Sequence, residues 1–468
     1  MPDWLAGGAL EQAVAGSPLC TATRALKKRA PCLLLARRGR IDAEGACGLS
    51  LRMAKKLSFD ADVILGGGGL VGQTLALALN QAGVSVIVID ASKPAETLAP
   101  SFDGRAFAIA FASYRMWRAL GLGETLDAVA QPIRQIMVTD GSVRGGPSPL
   151  HLHFDGAEQQ YAEEPLGLML EARHVRLALD GAVKARPNIR MIQPMSVSAI
   201  ARDAAGVRVT LANGESLRAP LLVGADGRRS FVRGAVGIRT IGWDYLVTAI
   251  VATIVHEKPH EGVAHEYFLP NGPFAILPLK GERANIVWAE PRAAADALLK
   301  MPEQDFLAEL RLRFGDHLGA LALEGPRFGY PLSLQLAERM IDARVALAGD
   351  SAHGIHPLAG QGLNLGLKDC AALAECIADG MALGLDAGDV SILERYQRWR
   401  RFDNVSMALG MEFFDKMFSN NIRPLAAARR VGLAAVNAVG PARRFFMRYA
   451  GGGAGDLPKL LRGETLAA

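Results

Sequence analysis

The spacing of apolar and polar positions changes character along the chain. From Asp62, Val63-Ile64-Leu65 is a short apolar run followed by a glycine cluster. Leu70 to Ala82 is rich in Ala and Leu at helical spacing, and Val84 to Ile89 is a second apolar run. Short, wholly apolar strands on either side of a helix predict a parallel βαβ unit covered on both faces. Tyr245–Val255 and Glu266–Glu290 read differently. Tyr267–Leu279 and Ala284–Trp288 alternate, and Pro270-Asn271-Gly272-Pro273 and Lys280-Gly281-Glu282 break them, which predicts antiparallel hairpins. Residues 358–385 and 391–450 return to helical spacing. The expected fold class is α/β, with a nucleotide-binding part interrupted by an antiparallel sheet and closed by C-terminal helices.

Composition narrows the class. At 468 residues, two or three co-folded parts are the natural expectation, and half the residues are apolar. The formal charge of +5 is unevenly placed. Residues 1–52 carry eight Lys/Arg against four acids and residues 423–468 eight against two, which leaves the body near −5. A nucleic-acid footprint needs a basic face on the folded body, so that partner is excluded. Five cysteines with no CxxC fit a reducing cytoplasm, and Cys370 and Cys376 read as packing residues. Apolar runs stay short of a membrane span. The first 52 residues lack a sustained period and are too acidic for a targeting peptide. Met53-Ala-Lys-Lys, just before the first strand, looks like a natural start.

Three motifs carry chemistry. Gly67-x-Gly69-x-x-Gly72 lies between the first strand and its helix. Its glycines suit a tight turn, close approach of a pyrophosphate and helix-on-strand packing, while the helix N-terminus faces the phosphates. Asp90 ends the next strand, where a carboxylate accepts from ribose hydroxyls, favouring FAD or NAD over a 2′-phosphorylated nucleotide. The second motif runs from Val345 through Gly349-Asp350 to His353, then His356-Pro357 and Gly360-Gln361-Gly362-Leu363-Asn364 at the start of a long helix. A glycine-rich loop at a helix start presents N–H groups to partial negative charge. The third is Leu221-Leu-Val-Gly224-Ala225-Asp226-Gly227, which alone could be a simple turn.

Together these residues resemble the class A flavoprotein monooxygenases, the para-hydroxybenzoate-hydroxylase-like family, across roughly residues 60–400. Phe102-Asp-Gly-Arg105, Gly272–Leu279, the Gly349–Asp369 block and Asn421-Ile-Arg-Pro-Leu are most similar to the ubiquinone-biosynthesis hydroxylases acting on 2-polyprenylphenols. The resemblance implies FAD as cofactor, NAD(P)H as co-substrate, and O2 plus a lipid-like phenol such as 2-polyprenyl-6-methoxyphenol as reactants. It assigns Gly67, Gly69, Gly72 and Asp90 to the ADP half and Gly349-Asp350 to the ribityl chain. Pro357, Gly360, Gly362, Leu363 and Asn364 would line the isoalloxazine, with the Pro357 backbone beside the reacting flavin carbon. Arg105 and Arg173 match cofactor-side arginines, and Asp226-Gly227 belongs to a segment associated with FAD and NAD(P)H. Gly66 departs from the family's β-branched residue there.

On this basis residues 1–57 form an extension, and 58–140, 161–240 and 336–400 are the FAD-binding parts. Residues 141–160 are a substrate-side excursion, 241–335 the antiparallel substrate domain, and 401–468 a basic helical segment. The C-terminal mixture of Arg429, Arg430, Arg443, Arg444 and Arg448 with Phe445, Phe446 and Met447 suits either an anionic membrane surface or a packing helix with a solvated basic face. A place on the inner face of the cytoplasmic membrane, and in a ubiquinone-biosynthesis complex, follows from the resemblance. The nine histidines make no metal-ligand spacing, so no metal is expected. His353 and His356 read as loop-stabilising groups, and Trp243 and Trp288 as packing or cavity wall. A halogenase would carry a WxWxIP-type pattern, which is missing; a flavin reductase or a non-catalytic flavoprotein subunit shares the nucleotide motifs.

Overall fold

Val63, Ile64 and Leu65 are wholly removed from solvent, each burial contributing about 1.5–3 kcal/mol, and the rest of the parallel half assembles around them. The computed structural model describes residues 58–97, 104–142, 146–158, 164–355, 360–418, 423–453 and 455–466. The strands run, in chain order, β1 Val63–Gly66, β2 Val86–Ile89, β3 Ala106–Ala110, β4 Gln131–Ile133, β5 Gln135–Ser142, β6 Gly146–Asp155 and β7 Gly167–Glu171. Next come β8 Ile189–Ile192, β9 Val197–Arg202, β10 Val207–Leu211, β11 Ser216–Ala219, β12 Leu221–Gly224 and β13 Thr240–His256. The remainder are β14 Val263–Leu269, β15 Gly272–Leu279, β16 Arg283–Pro291, β17 Leu321–Ala337, β18 Ile341–Asp342, β19 Val345–Leu347 and β20 His353–Gly354.

The first sheet has the order β18-β19-β12-β1-β2-β8, parallel throughout except for the edge strand β18. The Leu70–Gln81 helix follows β1, as the spacing predicts, while the second strand begins at Val86 rather than Val84. The antiparallel β9–β11 sheet shares the same core through Val207, Val209 and Leu217. So does the Gln361–Ala382 helix, whose Cys370 and Cys376 are buried thiols. Its small residues permit a close approach: a Cβ at Gly366 would meet Val71 at 2.8 Å.

The second sheet has eight strands in the order β20-β17-β13-β16-β15-β14-β5-β6, antiparallel except for β14 against β5. The hairpins expected at Pro270–Pro273 and Lys280–Glu282 are the turns on either side of β15. Its outer face carries Ile250, Phe274, Ile286 and Trp288, which pack on the Arg292–Lys300 and Glu303–Phe314 helices. The sheet is larger than the alternation suggests. It draws in Gln135–Asp155, so a boundary at residue 141 cuts β5 near its end, and it reaches Ala337 at the end of β17. β13 and β17, each 17 residues long, pair along most of their lengths, and β17 continues into contact with β20 through Gln335↔Gly354 and Leu336↔His353. Ser58–Ala468 form one compact unit. No helix among the described residues is long and apolar enough to cross a membrane.

Candidate active site

The parallel register sets the site. Gly66 at the end of β1 lies opposite Gly224 of β12 and Ile89 of β2, and Gly224 lies opposite Leu347 of β19. The turns that follow these strands, Gly67–Gly72, Asp90, Ala225–Gly227 and Gly349-Asp350, therefore share one edge of the sheet. Contacts knit them together: Ala225 N–H donates to Gly66 O at 2.7 Å, Ala348 N–H to Gly224 O at 3.0 Å, and Ser351 Oγ to Gly224 O at 2.6 Å. Gly349 itself abuts Val71, where a Cβ would come within 3.0 Å. The turn carrying Asp350 thus packs against the first turn of the Leu70–Gln81 helix, and Asp350 is exposed at that edge.

The three glycines differ in what surrounds them. Gly67 has φ +108°, and a Cβ there would lie 2.3 Å from Ala225 O; one at Gly72 would lie 2.0 Å from Gly67 O. Both positions are closed by protein. A Cβ at Gly69 meets nothing within 4 Å, so its backbone faces open space at the helix N-terminus. That arrangement fits a pyrophosphate, which needs N–H groups unobstructed by side chains. Asp90 accepts from Gly68 N–H at 2.5 Å and from Ser92 N–H at 2.7 Å, which fixes its carboxylate beside the glycine turn. Asp226 accepts from Val232 N–H through Oδ2 at 3.0 Å, while its buried Oδ1 has no partner. A buried orphan acceptor at this edge fits a hydroxyl-rich ligand.

At the second loop, Gly360 takes φ +64° and opens the Gln361–Ala382 helix, with Gly362 facing open space. Asn364 accepts from Ala110 N–H and donates to Ala108 O, both at 2.9 Å, so it pins the loop to β3. Leu363 packs partly buried against the main core. His356 and Pro357 lie outside the described residues, as do Phe102 and Asp103. Arg105 is exposed just before β3, and the β3–β7 register sets it close to Arg173. Arg173 ion-pairs with Glu171 at 2.9 Å and lines a cavity of about 340 Å³ with Thr125, His174 and Leu177. Arg105 directly precedes β3, and Arg173 stands in the first turn of the Ala172–Lys184 helix that follows β7.

Sequence reading missed one cluster. His353 Nε2 donates to Asp369 Oδ2 at 2.5 Å, Gly349 N–H to the same oxygen at 3.0 Å, and Arg400 Nε to Asp369 Oδ1 at 2.9 Å. Burial works to raise the Asp369 carboxyl, but His353, Arg400 and the Gly349 N–H overcome it and hold it down at about 2. The network ties the Gly349-Asp350 turn to the long helix and to the Val390–Phe418 helix, and it explains His353 as a loop-stabilising group. Its only sequence signal was an acid and a basic residue inside apolar helical spacing. Of the tryptophans, Trp288 is buried, whereas Trp243 is 45% exposed and meets Tyr245 edge-on. Among the described residues no cluster could hold a metal.

Residues 60–406 match the family model described as "FAD binding domain". The chain belongs to that family. It is 48% identical over 411 residues to the ubiquinone hydroxylase UbiL of Rhodospirillum rubrum, covering 87% of this chain and 94% of that one. It is 34% identical to the 3-demethoxyubiquinol 3-hydroxylase of Escherichia coli, covering 83% and 98%. Among solved structures, the p-nitrophenol 4-monooxygenase of Pseudomonas putida superposes with a TM-score of 0.69 over 84% of this chain and 98% of its own. At 21% identity, that likeness concerns the fold. The fold is para-hydroxybenzoate-hydroxylase-like. The family member described here is an FAD-dependent monooxygenase that uses NAD(P)H.

Proposed function

We propose that this monooxygenase hydroxylates the ring of a 2-polyprenylphenol, such as 2-polyprenyl-6-methoxyphenol, in ubiquinone biosynthesis. One observation supports the reading above the others: the strand-end turns of the parallel sheet share an edge, and β3 joins the Gly360 loop to the inner face of the second sheet. That inner face carries Ala264, Phe268 and Leu279, packed with Ala106 and Ala108 of β3. A cofactor lying along the edge would place its reactive end toward an apolar wall suited to an aromatic ring. Relatives whose names state ubiquinone hydroxylation support the substrate class.

In this reading Gly67, Gly69, Gly72 and Asp90 hold the ADP half of FAD, with Arg105, Arg173, Asp226 and Gly227 in supporting contacts. Gly349 and Asp350 meet the ribityl chain, and Gly360, Gly362, Leu363 and Asn364, with Pro357, line the ring system. Bound FAD, once reduced, supplies the activation of O2 that side chains cannot. The protein's part is to orient the phenol and keep water out, since water diverts such chemistry into peroxide release. The segments 58–140, 161–240 and 336–400 then serve the cofactor, and Gln135–Asp155 with Thr240–Ala337 serve the ring.

The protein works at the inner face of the cytoplasmic membrane, within reach of a polyprenyl tail and of other ubiquinone-pathway enzymes. The C-terminal arginines divide into two groups. Arg429 and Arg430 pair with Asp140, and Arg443 with Glu158, so they serve the fold. Arg444, Phe445, Phe446, Arg448 and Tyr449 are exposed on the Gly440–Ala450 helix and form the membrane-facing group. A deletion strain profiled for quinones tests the function: accumulation of a polyprenylphenol supports it, and an unchanged ubiquinone pool ends it.

A further inference from the structure

β14 lays alternate residues on opposite faces of the eight-stranded sheet. Tyr267 and Leu269 belong to the outer cluster, and Ala264 and Phe268 to the inner one. Glu266, between Ala264 and Phe268 in the alternation, therefore lies on the inner face. Its register partners are Val138 on β5 and Ala275 on β15, both apolar. Val138 packs into the same inner cluster as Ala106 and Ala108 of β3, and Ala108 touches the Gly360 loop: its carbonyl accepts from Asn364, and a Cβ at Gly360 would meet its own Cβ at 3.3 Å. Glu266 thus lies on the face that carries the inner cluster to which the β3 residues beside Gly360 belong.

The surroundings of this carboxyl are unusual. The carboxyl is deeply surrounded by protein, and the residue as a whole is only partly accessible. No described residue gives it a hydrogen bond or an ion pair. Two charged groups on the same face are engaged elsewhere: Asp140 with Arg429 and Arg430, and Arg283 with Glu171 and Glu324. Burial alone pushes the Glu266 carboxyl up to about 8, which keeps it protonated at neutral pH. A neutral carboxyl offers one donor and one acceptor together, the complement of a hydroxyl group. A buried polar group left without a partner is costly, and a ligand that supplies the partner recovers that cost as affinity.

We propose that Glu266 is the hydrogen-bonding anchor for the ring hydroxyl of the aromatic substrate, positioning the ring on the inner face of the sheet. This rests on the hydroxylase reading above. The carboxyl accepts the phenolic proton in a hydrogen bond, donates its own to the phenolic oxygen, and so selects rings bearing a hydroxyl over rings without one.

The test uses the full-length FAD-loaded protein and two probes, a short-chain 2-prenylphenol and the corresponding prenylbenzene. Binding is read from perturbation of the oxidised flavin spectrum, and turnover from NAD(P)H consumption against hydroxylated product. In the wild type the phenol binds more tightly than the prenylbenzene. Glu266→Leu weakens phenol binding and raises its KM by about 10-fold or more, about 1.4 kcal/mol per factor of ten, and diverts turnover to peroxide. Flavin content stays unchanged, and prenylbenzene binding does not weaken. Glu266→Gln, which keeps a donor and an acceptor, restores most of the difference. Glu266→Leu with unchanged phenol affinity and coupling overturns the anchor while leaving the hydroxylase reading intact. A wild type that neither binds nor turns over any phenol overturns both.

Discussion

The parallel sheet and the antiparallel sheet encode their chemistry in different ways. At the parallel sheet's edge the candidate ligand contacts come from backbone: Gly67, Gly69, Gly72 and Gly349 matter because they lack a side chain. In the antiparallel sheet a single side chain, Glu266, stands out because its register partners on both neighbouring strands are apolar. A site made of backbone tolerates almost no substitution at its closed positions, whereas a site made of a side chain is tuned by exchanging it. On the proposed reading, the first sheet sets which cofactor is held and the second sets which ring is accepted.

The sharpest attempt to break the contrast is Gly72→Ala. A Cβ there would lie 2.0 Å from Gly67 O, and the atom it meets is backbone that cannot swing away. Soluble, flavin-loaded protein should be largely lost, as measured by expression yield and flavin-to-protein ratio; normal flavin loading would refute the packing argument. Arg400→Met comes next. It leaves the buried Asp369 carboxylate short of its cation, and losing one partner of such a pair costs about 3–5 kcal/mol. Denaturant melts should register that loss.

The same network sets a pH dependence. The Asp369 carboxyl sits near 2 in the folded protein, below its unfolded value, so its contribution is present above about 4 and disappears as pH falls toward 2. Stability curves of Asp369→Asn should be flatter across that window. Gly69→Ala is the mildest and the most discriminating change. Its Cβ meets no protein atom, and Gly69 has φ −72°, which alanine adopts freely. Stability should hold while FAD affinity falls by about 10-fold, as read by flavin titration of apoprotein. An unchanged affinity would remove the pyrophosphate from that open face.

The same division explains what the sequence made legible. The Gly67–Gly72 turn, its helix and Asp90 form a local unit whose spacing is fixed by backbone geometry within about 25 residues, so reading it needs no long-range knowledge. The hairpins around β15 were visible for the same reason. By contrast, β5 joins the second sheet through a parallel pairing with β14 across more than 120 residues, and no local period announces that. Arg429 looked like part of a basic surface, yet it is buried against Asp140, 289 positions away. Glu266 was passed over because an isolated acid in an alternating strand ordinarily faces solvent; which face is inside was settled by helices that pack on the other one.

The pairing of β17 with both β13 and β20 has a mechanical consequence. β17 runs as one strand from its pairing with β13 to its pairing with β20 at His353, which gives a continuous backbone path between the second sheet and that turn. On the proposed reading, strand pairing thereby sets the register between the sheet that faces the ring and the turn that faces the cofactor.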